Sequence, residues 1–124
     1  MTSERLTFKQ IDIKNELLIP IKKINKSLKL ISYKPIVIDN HFIARLTERK
    51  LSHSIIVEIL NKLEKRIGEL LFCAQLSSSI TIRYRMHLDY YLFIYFCERK
   101  FILKTCIKKE KNSTYKDAVI IDLN

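Results

Sequence analysis

The chain has 124 residues, enough for one domain with a buried core, and its formal net charge is +10 at pH 7. Apolar residues make up 48% and charged residues 29%, a balance that argues against a disordered chain and favours a globular one. No apolar run approaches the roughly 18 residues of a membrane span, and the charged N-terminus lacks a secretory signal. We therefore expect a cytoplasmic protein with no membrane partner.

The isoelectric point of about 9.6 indicates association with polyanions. Lysine excess alone is weak support, because the chain is also rich in isoleucine and has one glycine and no tryptophan, as an AT-rich coding sequence would produce. The positions of the arginines therefore carry more information than the total charge.

The N-terminal part of the chain predicts one amphipathic helix over residues 9–31. Its apolar residues recur at intervals of four and three, the period of a helix face. They are Leu17, Ile21, Ile24, Leu28 and Ile31. Pro20 fits the first turn of this helix or a kink, because proline lacks an amide hydrogen. We expect the stripe to pack on its own domain; the alternative is a contact with another copy or with an antitoxin.

Two further helices are predicted before the first strand. Asp39 or Asn40 can cap a helix that begins at His41. Ser52 can cap a third helix over about residues 53–71, whose apolar residues again follow the helical period.

The C-terminal half changes to the two-residue period of strands. From Ile80 to His87, apolar residues alternate with Thr81, Arg83, Arg85 and His87, which predicts a half-buried strand. "LDYYLFIYFC" and "KFILKTCIKK" predict a second and a third strand joined by a tight turn at residues 98–100, and "DAVIIDL" predicts a fourth. The order predicts one α+β domain over residues 1–124, with N-terminal helices packed on a C-terminal antiparallel sheet of about four strands.

The stretch "HFIARLTERKLS" places three basic side chains on one helical edge. His41, Arg45 and Arg49 are four residues apart and spread over about 80° of arc, with Glu48 beside them. The arrangement fits a site that handles phosphate. The alternative is a solvated helix face with a Glu48–Arg45 ion pair.

A second basic row lies on the first predicted strand. Arg83, Arg85 and His87 share the face opposite its apolar residues, together with Thr81. Arginine binds phosphate oxygens bidentately, so this row resembles an anion-binding surface. The alternative is a solvent-facing strand whose charges suppress aggregation. We expect this row and the imidazole of His41 to line a common hollow.

The residue set restricts the chemistry. No cluster of Asp or Glu suggests a metal site, and the single glycine, Gly68, excludes a phosphate-binding glycine loop. Cys73, Cys97 and Cys106 lack metal-ligand spacing and an obvious histidine partner, so we expect free, buried thiols and neither a metal nor a cofactor. RNA cleavage through the substrate's 2′-hydroxyl needs only a general base, a general acid and cations, which histidine and arginine supply.

At His41-x3-Arg45-x3-Arg49-x-Leu51-Ser52, followed by an apolar helix and strands, the chain resembles small RelE-like endoribonucleases. The nearest groups are phage RegB-type endoribonucleases and uncharacterised domains with the same His-x3-Arg-x3-Arg helix. The resemblance covers roughly residues 36–108. It implies a RelE/barnase-like core over residues 36–124, with residues 9–35 as an extra N-terminal helix.

The resemblance also implies roles for particular residues. His41 matches the motif histidine and is assigned acid–base work, with Arg83, Arg85 and His87 as further catalytic candidates. His87 departs from the RegB pattern in its position after the first strand. The candidates for substrate binding are Arg45, Arg49, Thr105 and Lys108.

Two functions follow as expectations. The first is a metal-free endoribonuclease acting on RNA, with mRNA as the substrate, of phage or toxin origin; a ribosome, a host protein or an antitoxin would be its further partners. The second is a non-catalytic module that binds RNA or a host protein. In that case aromatic side chains could stack bases, although we expect them in the core. They are Tyr90, Tyr91, Tyr95 and Phe96.

Overall fold

A computed structural model describes residues 5–109 and 119–124. Within these ranges helices come first and strands follow, the α+β order that the sequence predicts. The helices are α1 (Phe8–Leu30), α2 (Asn40–Glu48), α3 (His53–Glu64) and α4 (Ile67–Leu76), and the strands are β1 (Ser79–Arg85), β2 (Asp89–Cys97), β3 (Lys100–Lys109) and β4 (Ile120–Asp122). Residues 117 and 118 of the predicted fourth strand lie outside the described residues.

Helix α1 begins at a reciprocal cap. The amide of Gln10 donates to the Thr7 hydroxyl at 3.2 Å, and the Thr7 amide donates to the Gln10 side chain at 2.9 Å. The helix continues through Pro20, so the alternative of Pro20 at the first turn was wrong. Leu17 and Leu28 are fully buried, and α1 packs on α3, which confirms that this part of the apolar stripe packs on its own domain. Ile31 follows the end of the helix and is 43% exposed, so its inclusion in the stripe was wrong.

The predicted third helix is two helices, and this prediction was wrong in its length. The helix is interrupted at Lys65 and Arg66, and Arg66 has the non-helical angles φ −126° and ψ 33°. The Arg66 guanidinium donates to the Glu69 carboxylate at 3.0 and 2.6 Å and to the main-chain carbonyl of Asp122. The apolar period runs on across the break, which is why the sequence indicated a single helix over residues 53–71.

The sheet has the strand order β3-β2-β1-β4. Strands β1, β2 and β3 form the predicted antiparallel meander. Strand β4 instead pairs in parallel with β1, with Thr81 opposite Ile120, so the sheet is mixed and the wholly antiparallel prediction was wrong. An apolar pattern specifies the two faces of a strand, but neither its direction nor the edge that it joins.

One face of the sheet packs on the helices. Ile82 is fully buried, and the Tyr84 hydroxyl donates to the Glu58 carboxylate of α3 at 2.7 Å; this hydrogen bond is the main reason that the pKa of Tyr84 is raised. Strand β1 ends at Arg85. His87 therefore lies in the connection to β2, which corrects its prediction as a strand residue.

Candidate functional site

The chain before α2 runs along the outer edge of β3. The Val37 amide donates to the Phe101 carbonyl at 2.9 Å, and the Leu103 amide donates to the Val37 carbonyl at 3.0 Å. Two residues later the Asp39 carboxylate accepts from the Phe42 amide at 2.8 Å and caps α2. The chain thus passes directly from the sheet edge into the helix, so the first turns of α2 lie beside β3.

A hollow of about 260 Å³ opens between α2 and β3, and we call it the β3 hollow. It is lined by Asp39, His41, Arg45, Leu103, Lys104 and Thr105. The β2–β3 register shifts here, because Phe93 is opposite Thr105 while Ile94 is opposite Leu103. Such a bulge interrupts the alternation of side chains, and it lets the neighbouring residues Lys104 and Thr105 line the same hollow.

His41 and Arg45 are joined in this hollow. The Nε of Arg45 donates to Nε2 of His41 over 2.8 Å. A guanidinium has donors only, so Nε2 must be the accepting nitrogen and the imidazole is neutral in this arrangement. One turn of helix therefore holds a neutral imidazole against a permanent cation.

Arg49, the third basic residue of the motif, ties α2 to the sheet. Its Nη1 donates to the Thr105 hydroxyl at 2.6 Å and to the Cys106 carbonyl at 3.1 Å. The side chain is half-buried, and both of its acceptors belong to β3. Arg49 thus fixes the wall of the hollow, while Arg45 lines the hollow itself.

The Cys106 thiol lies close to this site and is fully buried. Burial raises the pKa of Cys106 to about 12, although the charge of Arg49 opposes this rise. Burial also raises the pKa of Cys73. Both thiols are thus protonated at neutral pH, as expected of core cysteines. Cys97 is free as well but only partly buried.

Arg83 and Asp122 form a bidentate ion pair between β1 and β4. The Nε and Nη2 of Arg83 donate to the two Asp122 carboxylate oxygens at 2.5 and 2.6 Å. The bond to the carboxylate is the main cause of the raised pKa of Arg83, and the same bond lowers the pKa of Asp122. The Arg83 side chain is only 16% exposed, so this guanidinium already has its anion.

The remaining basic candidates, Arg85, His87 and Lys108, lie near the C-terminal ends of β1 and β3 and in the connection between β1 and β2. Arg85 is exposed, and its main chain is bonded to the Asn124 side chain. His87 is also exposed, and its ring meets the Tyr90 ring edge-on at 6.5 Å. Lys108 is exposed on β3, directly opposite Tyr90.

The structure therefore brings together only part of the predicted site. His41, Arg45 and Thr105 line one hollow, and Arg49 contacts Thr105. The predicted convergence with the row on β1 is not observed, since Arg83 is two strands away, about 10 Å by strand spacing. The alternation of residues predicted which face of β1 carries the arginines, but it could not predict the position of β1 in the strand order of the sheet.

Three residues that line the hollow were not predicted as site residues: Asp39, Leu103 and Lys104. Asp39 was considered only as a cap, although its position two residues before His41 already placed it beside the motif. Lys104 was missed because its inclusion depends on the bulge, for which the sequence gives no signal.

The four aromatic residues expected in the core have different outcomes. Tyr90 and Tyr91 are buried, at 6% and 0% exposure, which confirms the expectation for them. Phe96 is partly buried. Tyr95 is 37% exposed, so for this residue the expectation was wrong.

Within residues 5–109 and 119–124, no three His, Cys, Asp or Glu side chains are grouped closely enough to hold a metal ion. Over the same ranges, no helix combines the length and the apolar character that crossing a membrane requires. Comparison with protein-family models, curated protein sequences and solved structures gives no match to this chain. The RelE-like resemblance therefore stays a prediction.

Proposed function

We propose that this protein binds RNA at the β3 hollow and cleaves it without a metal ion. The supporting observation is the 2.8 Å hydrogen bond from Arg45 to His41. It holds a neutral, proton-accepting imidazole beside a charge that arginine cannot lose. Lys104 adds a second cation to the same lining. At about 260 Å³, the hollow is smaller than the roughly 300–1,000 Å³ of sites that enclose a whole small molecule, so we expect it to hold one sugar–phosphate unit.

Cleavage would use the substrate's own hydroxyl group. The entering phosphate draws the guanidinium of Arg45, which frees Nε2 of His41 to take the proton of the 2′-hydroxyl. The 2′-oxygen bonds to phosphorus as the bond to the 5′-oxygen breaks, and the Lys104 ammonium donates a proton to that leaving oxygen. Arg45 stabilises the charge that develops on phosphate. The products would be a 2′,3′-cyclic phosphate and a 5′-hydroxyl end.

The test is incubation of the purified protein with unstructured RNA in EDTA, followed by mapping of the ends. Cyclic phosphate ends are expected, and His41→Ala should cleave at least about 100-fold more slowly because it lacks the base. His53→Gln is the matched control, since His53 pairs with Glu16 of α1 at 2.5 Å, outside the hollow. Equal rates for His41→Ala and wild type, with unchanged circular dichroism, would refute the catalytic role.

A second candidate is RNA binding without cleavage. The observation that favours it is the same hydrogen bond, because it occupies the Nε2 lone pair that a base must use. In this case, wild-type protein retains RNA at low salt, loses it as salt rises, and yields no new ends. Arg45→Ala would then weaken binding, while His41→Ala would have little effect.

A further inference from the structure

A second basic and aromatic surface lies at the corner formed by the β2–β3 turn and the segment after α1. Three rings pack together there: Tyr33 stacks on Phe96 at 5.8 Å and on Phe101 at 6.2 Å, while the two phenylalanine rings are 4.6 Å apart and tilted by 42°. The guanidinium of Arg99 lies over the Tyr33 ring, 5.1 Å from its centroid. We call these four residues the Arg99 corner.

The outermost layer of this corner faces solvent. Arg99 is exposed, so a ligand can reach the guanidinium that lies over the Tyr33 ring. RNA-binding proteins stack unpaired bases on aromatic rings and on arginine planes of this kind. In the Arg99 corner the phenylalanine rings come first, the Tyr33 ring is next and the Arg99 guanidinium is outermost. An unpaired base could therefore stack on the guanidinium.

Two lysines line a hollow that adjoins the corner. A hollow of about 500 Å³ next to Tyr33 is lined by Asn25, Lys26, Lys29, Tyr33 and Pro35. Its wall is fixed, because the Asn25 side chain accepts from the Ile36 amide at 2.7 Å. An aromatic side and a lysine side meet in one concavity, which suits a ligand that combines a flat base with an anion.

The turn that presents Arg99 has an unfavourable backbone. Glu98 and Arg99 have φ of 52° and 65°, the left-handed conformation that two-residue hairpin turns require and that Asn-Gly normally supplies. The Lys34 amide, which donates to the Arg99 carbonyl at 3.1 Å, holds the turn. Strained conformations of non-glycine residues concentrate at functional positions, and here the strained residue is the one that forms the outer layer.

We propose that the Arg99 corner is a subsite for one unpaired base of single-stranded RNA, with the adjoining phosphate held by Lys26 and Lys29. The inference rests on the proposed function, because it supplies a second contact for the RNA bound at the β3 hollow. Arg99 is five residues before Lys104, and an extended chain of that length spans about 17 Å. A strand several nucleotides long can span that distance, whereas a paired base cannot present its face to Arg99.

The experiment measures binding of a fluorescent 2′-O-methyl RNA of about ten nucleotides, which lacks the attacking hydroxyl and so separates binding from cleavage. Arg99→Lys keeps the charge but removes the planar group, and Arg99→Gly relaxes the turn while removing the side chain. Both variants should bind the single strand about tenfold more weakly. Lys65→Ala, which removes an exposed cation elsewhere, should bind as wild type does.

Each outcome supports or overturns the subsite. Arg99→Gly should melt at or above the wild-type temperature, so weaker binding by this variant cannot come from unfolding. Wild-type affinity in Arg99→Lys, or equal affinity of the wild type for duplex and single strand, would refute base stacking. Absence of RNA binding by the wild type would refute both proposals. Binding that depends on Arg99 without any cleavage of ordinary RNA would refute only the catalytic function.

Discussion

The two edges of the sheet, at β3 and at β4, each have an arginine, but the two arginines have different hydrogen-bond partners. Beside β3, Arg45 donates to a neutral imidazole and lines an open hollow. Between β1 and β4, Arg83 is held by both carboxylate oxygens of Asp122 and is mostly buried. Two arginines that look alike in the sequence therefore have different roles, and the group that accepts their hydrogen bonds determines the role. A guanidinium on a carboxylate is already neutralised, whereas one on an imidazole can still attract an anion.

The largest expected effect that sharpens this comparison is on stability. Asp122→Ala leaves Arg83 partly buried without its anion, so the free energy of unfolding should fall by about 2 kcal/mol. The 42% exposure of Asp122 keeps the loss below that of a fully buried pair. Urea denaturation measures it, with Asp12→Ala, an exposed carboxylate of α1, as the control. A change within about 0.5 kcal/mol would show that the pair contributes little.

A smaller effect is expected from pH. The Asp122 pKa is lowered in the folded protein, chiefly by the bond from Arg83, so its stabilisation is present above the unfolded pKa of about 4 and is lost as pH falls through the folded value. The stability difference between wild type and Asp122→Asn should therefore shrink below pH 4. Urea titrations of both proteins at pH 7, 5 and 3 measure it. A constant difference would contradict the assignment.

The smallest effect concerns the residues that the hollow leaves out. His87→Ala should change the unfolding free energy by less than about 0.5 kcal/mol, because the ring is exposed. It should also change RNA cleavage less than twofold if the β3 hollow alone does the chemistry. A loss as large as that of His41→Ala would instead show that the site extends across the sheet.

Local patterns predicted most of the elements, because period and caps are local properties. The cap at Asp39 depends on neighbours a few residues away and was found as expected. The alternation along β1 was found only in part, because Thr81, predicted on the polar face, is buried at 1% exposure. Arg66 at the helix break and Arg83 on β1 both contact Asp122, which is distant from them in sequence. Contacts of this kind are not visible in a local pattern. The same distinction holds for the site: the spacing of His41 and Arg45 was readable, while Lys104 entered the hollow through a bulge set by pairing with β2.

The segment at Val37 also affects the tendency of the protein to aggregate. Unpaired strand margins invite other chains to add on and start fibres. At the edge formed by β3, the main chain of Val37 is hydrogen-bonded to Phe101 and Leu103. Further along the same edge, the Arg49 side chain donates to the Cys106 carbonyl. At the opposite margin Arg66 takes the Asp122 carbonyl. Both margins carry such blocking contacts, which discourages growth of the sheet from one molecule into the next.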